Sequence, residues 1–121
     1  YQRLTAAKTP SLVCPSTNND FGGNYKEKIG LLSADEVALA GGVNGVPNYN
    51  YYLYTGYNYF TMSPAEYYNY RAYIYYVTAD GQLLETPTNQ SYSVRPVINI
   101  ESTVSVSGQG TKENPYTIDT K

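Results

Sequence analysis

The chain has no histidine and no tryptophan, and only one cysteine and one methionine in 121 residues. Without histidine it lacks the commonest general base and the commonest metal ligand at neutral pH. The lone cysteine, Cys14, can close no internal disulfide. With no histidine to activate it, Cys14 reads as a small apolar side chain rather than a nucleophile. Charge is scarce and nearly balanced, with 8 Lys and Arg against 10 Asp and Glu and a net charge of −2. Nothing there builds the basic patch that nucleic acid or an anionic membrane surface requires. No apolar run approaches the about 18 residues of a membrane-spanning helix, and no charged segment leads into an apolar stretch of signal-peptide type. Tyr1 rather than Met begins the chain, which reads as one domain, residues 1–121, cut from a longer protein. A domain of this length buries roughly two-thirds of the surface its unfolded chain exposes, enough for one core without metals or crosslinks.

What is abundant is tyrosine. There are 16, against 2 phenylalanines, and twelve of them fall between Tyr49 and Tyr76. Tyrosine supplies broad, stiff, amphipathic contact area with few rotors to freeze, as in antibody binding loops. It also fits a half-buried sheet. The density here exceeds what one sheet face accounts for, so the reading favours binding.

The clearest local signal is Ser33-Ala34-Asp35-Glu36, a capping box with Ser33 as N-cap, ahead of a short helix that Gly41-Gly42 ends. Leu32 and Val37 flank the cap as a hydrophobic staple. Capping accounts for Asp35 and Glu36 better than an acid–base pair does. Short strands are expected at Leu12–Cys14, Tyr51–Tyr54, Tyr57–Met62, Ala72–Val77, Gln82–Leu84, Val94–Ile100 and Tyr116–Ile118. Ser63-Pro64 should break the third strand and leave Ala65–Arg71 as a loop. Ser16–Lys28 and Glu85–Ser91 also read as loops. Ala79-Asp80-Gly81 marks a hairpin turn. Val94–Ile100 should be central or nearly so, with Arg95 paired to Asp35 or Glu36, because an unpaired buried arginine is costly.

The ordered segments Ile29-Gly30-Leu31-Leu32-Ser33-Ala34-Asp35-Glu36-Val37, Ala40-Gly41-Gly42, Tyr52-Leu53-Tyr54-Thr55-Gly56, Tyr59-Phe60-Thr61-Met62-Ser63-Pro64 and Ser93-Val94-Arg95-Pro96-Val97-Ile98 resemble a family of bacterial surface and pilin-associated domains. Members carry GLITADEV…AGG, YLYTG, YWTMSP and GVRPVINL segments, followed by a tail like Gly108–Tyr116. The resemblance spans residues 12–118. Phe60 replaces the family's tryptophan and Ser93 its glycine. It implies an α+β, β-rich, C-type-lectin-like fold with one or two short helices and a small twisted, mostly antiparallel sheet. That branch includes formylglycine-generating enzymes and the variable proteins of diversity-generating retroelements. It also implies that the chain is the C-terminal part of a longer extracellular or cell-surface protein. The enzyme branch needs paired cysteines, which one Cys cannot supply. The Glu-Pro-Asn and Gln-Pro-Asp triplets of calcium-dependent lectins are absent, so no metal or cofactor is expected.

Leu53, Phe60, Met62, Ala72, Ile74, Val77, Leu83, Val94, Val97, Ile98 and Ile100 are read as framework. The resemblance implies that the residues between them are the variable, displayed ones. Asn and Tyr codons differ by one adenine, the base that retroelement mutagenesis targets. The candidate ligand-binding residues are Tyr57, Tyr59, Tyr67, Tyr68, Tyr70, Arg71, Tyr73, Tyr75 and Tyr76, with no catalytic residue. A bulge near Tyr75-Tyr76 would expose both rings beside Tyr73 while returning Val77 to the core. The expected function is display of a Tyr/Asn-rich surface to a protein or cell-surface receptor, on a pilus or other filament. The alternatives are a filament subunit whose tyrosines pack against neighbouring subunits, and a carbohydrate-binding module with a glycan as partner. No nucleic-acid partner and no membrane insertion are expected.

Overall fold

The computed structural model describes residues 2–13, 28–111 and 113–119. Cys14 and most of the Ser16–Lys28 loop lie outside them. The fold is α+β and β-rich, with mostly antiparallel sheets and two short helices. A wide helical turn, Gln2–Ala6, comes first, where the sequence is weakly patterned. Then follow β1 (Ile29–Leu31), α1 (Ala34–Ala40), β2 (Tyr59–Tyr68), β3 (Arg71–Val77), β4 (Leu83–Pro87), β5 (Pro96–Ile98), β6 (Val106–Ser107) and β7 (Thr117–Ile118). They form one three-stranded sheet, β2-β3-β4, and two separate two-stranded pairs, β1-β5 and β6-β7. No helix is long and apolar enough to cross a membrane among the described residues.

Helix α1 forms where its caps dictate. The Glu36 backbone N–H donates to Ser33 Oγ at 3.2 Å, and the Ser33 N–H donates back to Glu36 Oε2 at 2.7 Å. At the other end the N–H groups of Gly41 and Gly42 both return to the Val37 carbonyl, and Gly41 takes a φ of 124°. Asp35 is buried and accepts the Ser11 backbone N–H at 2.6 Å. Both carboxylates are therefore occupied by backbone groups.

Strand β2 runs straight through Ser63-Pro64, where a break was expected. It does so by bulging. Phe60 faces Tyr76, Pro64 faces Ile74 and Glu66 faces Tyr73, so β2 carries three more residues than β3 over this stretch. Pro64 itself stays in register opposite Ile74, and proline is tolerated there because β2 is an edge strand with the ladder irregular on either side of it. Side chains replace the missing ladder bonds. Thr61 Oγ1 donates to the Tyr75 carbonyl at 2.8 Å, and Ser63 Oγ accepts the first free N–H of α1, that of Ala34, at 2.9 Å. The bulge thus joins helix and sheet.

The core lies between α1 and one face of this sheet. Its buried members are Leu32, Ala34, Val37, Tyr51, Leu53, Tyr59, Tyr75, Val77 and Leu83. Three are tyrosines, and each hydroxyl has a partner. Tyr51 donates to the Gly81 carbonyl at 3.0 Å, Tyr59 donates to the Leu53 carbonyl at 3.0 Å, and the Tyr75 hydroxyl lies 3.2 Å from Thr5 Oγ1. Segment Tyr51–Tyr54, expected as a strand, is an irregular loop that inserts Tyr51 and Leu53 into this core. The framework reading holds for Leu53, Val77 and Leu83. It fails for Met62, Ala72, Val94, Ile98 and Ile100, which are exposed.

Segment Val94–Ile100 is not a central strand. Only Pro96–Ile98 is extended, paired with β1 in its own ribbon. Pro96 cannot donate to a ladder, and it opens the strand. Among the described residues Arg95 finds no carboxylate. Its Nη1 donates to the Leu53 carbonyl at 2.6 Å and its guanidinium lies 5.7 Å from the Tyr59 ring centre. Among the described residues no buried side-chain nitrogen or oxygen lacks a partner.

Turn 78–82 is set by Thr78 and Asp80. The Asp80 carboxylate accepts from Thr78 Oγ1 and, at 2.7 Å, from Gln82 Nε2. The Thr78 bond, then that of Gln82, holds its pKa below the usual carboxylate range. Gly81 has a φ of 83°, and a Cβ there would run into the Asn48 carbonyl. Gly45, at φ 75°, has nothing within 4 Å. Gly81→Ala should therefore cost about 3 kcal/mol or more, combining strain with overpacking, and Gly45→Ala about 1 kcal/mol. Urea denaturation of both variants measures the difference.

Burial pushes the pKa of the Tyr51 and Tyr59 phenols above their ordinary value of 10.0, with smaller contributions from Tyr59 on Tyr51 and opposing ones from Arg95. The folded state then holds protons that the unfolded chain releases, so the contribution of these two groups to stability is constant below about pH 9 and falls as pH rises through 10 and beyond. Urea midpoints taken from pH 7 to 11 should show that fall, and Tyr51→Phe should make it shallower.

Candidate functional site

The nine sequence-nominated residues do not form one surface. Alternation along β3 is unbroken, since every residue from Tyr73 to Val77 has a partner on β4 in steady register. Counting back from buried Val77 places Tyr75 on the core face, where it is 2% exposed. The bulge expected on β3 lies instead on β2. Tyr59, at 1% exposed, is core as well. Exposure of Tyr75 and Tyr59 is thus corrected by the structure. Tyr76 points to the opposite face and is half-buried, stacked on Tyr92 with ring centres 4.7 Å apart and planes inclined by 24°. Burial, with Tyr92 next, raises its phenol pKa. Tyr73 is half-buried, paired with Glu66 on β2 and Pro87 on β4.

What the structure does bring together is Tyr67, Tyr68, Tyr70 and Arg71. Strand β4 ends at Pro87, opposite Tyr73, so β2 and β3 continue past it as a two-stranded ribbon. In that extension Tyr67 pairs with Ala72 and Tyr68 with Arg71. All six residues from 67 to 72 are exposed. Adjacent strand positions face opposite ways, so Tyr67 and Tyr68 occupy the two sides of the ribbon. Tyr57, also exposed, lies apart, in the loop before β2.

The tip itself is unusual. Asn69 and Tyr70 have φ angles of 48° and 61°. A two-residue hairpin turn with both central φ values positive matches the twist of the strands, and Asn-Gly is its favoured sequence. Asn69 suits the first position. At the second, where glycine is free of strain, stands a tyrosine that is 90% exposed. A bulky residue there costs of order 1 kcal/mol or more, and nothing around Tyr70 offsets it by burial. Residues held in such conformations cluster at ligand contacts.

Outside the ribbon, two hollows are notable. An apolar cavity of about 160 Å³ beneath the N-terminal turn is lined by Leu4, Pro10, Ala38, Val43, Tyr75 and Leu83 among others. An open cleft is lined by Tyr57, Asn58, Ser91, Tyr92 and Ser93. Sequence reasoning singled out Tyr57 but missed Ser91, Tyr92 and Ser93, which lie more than thirty positions away and join it through the bonds between Asn58, Ser93 and Phe60 and the contact of the Phe60 and Tyr92 rings. Among the described residues no group of three or more His, Cys, Asp or Glu is placed to hold a metal ion. No protein-family model, curated protein or solved structure matches the chain.

Tyr70→Gly should raise stability by about 1 kcal/mol, because glycine removes the tip strain. Tyr75→Ala should lower it by about 3–5 kcal/mol, as loss of a buried ring does. Tyr68→Ala should stay within about 0.5 kcal/mol of the parent. Equilibrium urea unfolding distinguishes the three.

Proposed function

We propose that this domain is an extracellular display module, not an enzyme, that engages a protein or cell-surface receptor through the tip of the β2–β3 ribbon. The observation that carries the reading is Tyr70, strained and 90% exposed where glycine would be relaxed. Tyr67, Tyr68 and Arg71 surround it with the side chains that dominate binding hot spots. The C-type-lectin-like fold and the surface or pilus setting belong to this proposal through the family resemblance. The short helix packed on a small antiparallel sheet, with much of the chain in loops, supports that fold.

A second reading, a filament subunit, is favoured by β6–β7. This ribbon exposes its one apolar pair, Val106 and Ile118, on both strands, while Ser107, Thr117 and Asp119 hydrogen-bond on the other side. An isolated two-stranded ribbon is marginal in water, and a neighbouring copy would supply its missing face.

One set of variants separates the readings. Beads coated with the domain are tested for adhesion to intact bacterial and epithelial cells, and the free domain is examined by sedimentation. The triple change Tyr67→Ser, Tyr68→Ser, Tyr70→Gly should abolish adhesion with the melting temperature unchanged or raised. Adhesion that survives it overturns the ribbon assignment. Self-association removed by Val106→Thr with Ile118→Thr, and untouched by the triple change, would identify a filament subunit instead.

A further inference from the structure

The cleft between loop 57–58 and segment 91–93 lies away from the ribbon and has walls of a different kind. Its volume is about 420 Å³, within the range of roughly 300–1,000 Å³ typical of small-ligand sites. Its five lining residues are Tyr57, Asn58, Ser91, Tyr92 and Ser93, and none is charged. The walls are fixed before any ligand arrives. Ser93 N–H donates to the Asn58 carbonyl at 3.0 Å, and Phe60 N–H donates to the Ser93 carbonyl at 3.1 Å. Asn58 Oδ1 accepts the Ala79 N–H at 2.7 Å, which orients its amide. The Tyr92 ring is held by Tyr76 at 4.7 Å and by Phe60 at 5.1 Å.

The remaining polar groups of the cleft are uncommitted. The hydroxyls of Tyr57, Ser91 and Ser93 and the Asn58 Nδ2 make no hydrogen bond among the described residues. Tyr57 is 70% exposed, so its ring is available for face contact. The lining thus offers two aromatic rings, a fixed amide donor and three groups that each donate and accept.

We propose that this cleft binds a neutral pyranose, the terminal residue of an uncharged glycan. A pyranose has an apolar C–H face that packs on a phenol ring and a rim of hydroxyls that both donate and accept. Hydroxyl-bearing side chains match that rim better than they match a peptide, whose exposed backbone alternates fixed donors and acceptors. The absence of a lining Lys or Arg disfavours sialylated, sulfated or phosphorylated sugars, whose charge would be desolvated without a partner. The site is separate from the ribbon tip, and its fate does not depend on the receptor reading.

The test is a heteronuclear NMR titration of the whole domain with the methyl glycosides of glucose, galactose, mannose and N-acetylglucosamine. Sialic acid and a proline-rich peptide are run in parallel. At least one neutral glycoside should shift the amide resonances of residues 57, 58 and 91–93 in the millimolar range. Tyr57→Ala should weaken that binding about tenfold, the scale of one ring contact, and Ser93→Ala should weaken it measurably. Tyr70→Gly should leave it unchanged, so loss of receptor adhesion and loss of sugar binding are read separately. Tyr57 and the Ser93 hydroxyl carry no tertiary contact in the core, so both variants fold. No shift with any neutral glycoside overturns the proposal. So does preferential binding of sialic acid or of the peptide, or binding indifferent to Tyr57→Ala.

Discussion

A buried phenol must place its hydroxyl on a partner, and this requirement organises the molecule. The core takes tyrosine where phenylalanine or leucine is usual, at Tyr51, Tyr59 and Tyr75. A desolvated hydroxyl without a hydrogen bond costs about 1–3 kcal/mol, so each ring selects the segment that can satisfy it. Tyr51 ties the loop after α1 to the Gly81 turn, and Tyr75 ties the sheet to the N-terminal turn. Tyr59 and Arg95 converge on one carbonyl, that of Leu53. An oxygen with two lone pairs accepts both. This explains how Arg95 is accommodated without a carboxylate among the described residues: its charge meets a carbonyl dipole and an aromatic face.

The same requirement made the tyrosines hard to sort by sequence. Tyrosine serves equally as a sheet residue, a core residue with a hydroxyl partner and an exposed contact residue. Composition between Tyr49 and Tyr76 therefore pointed to display for rings that divide among all three roles. Strict period-2 alternation puts Tyr73, Tyr75 and Val77 on one face of β3 and Ala72, Ile74 and Tyr76 on the other. With Val77 fixed in the core and no bulge on β3, Tyr75 follows inward.

Helix α1 was legible because all its determinants are local: Ser33, Glu36 and Gly41 lie within a few residues of the bonds they make. The hairpin turn at Asp80-Gly81 was legible for the same reason. The passage of β2 through Ser63-Pro64 was not. It depends on Thr61 reaching Tyr75 and Ser63 reaching Ala34, contacts between residues far apart in the chain. The short reach of β5 was hidden likewise, because Val94, Ile98 and Ile100 look like core residues and no sheet among the described residues covers them. Of the nominated site, Tyr67, Tyr68, Tyr70 and Arg71 coincide with the exposed tip. The serines and Tyr92 of the cleft carry no local signal and are found only by pairing Ser93 with Asn58.

The division of labour along β2 and β3 has a functional consequence. From Tyr73 to Val77, β3 is bound on both sides, by β2 and β4, and its inward side chains Tyr75 and Val77 are held in the core beneath α1. Beyond Pro87 the β4 ladder ends with one further bond, from the Thr88 N–H to the Ala72 carbonyl at 3.1 Å, and residues 67–71 pair within their own ribbon. Substitutions in that extension leave the hydroxyl-anchored core untouched. A display surface needs this separation, because a residue that varies freely cannot also hold the fold together. In the proposed reading the sheet-bound half of each strand aims the ribbon, and the extension carries the contact residues. Tyr70 costs strain at a position where the core has no claim on it, and under the proposed display reading contact with a partner is the physical reason for a ring rather than a glycine at the tip.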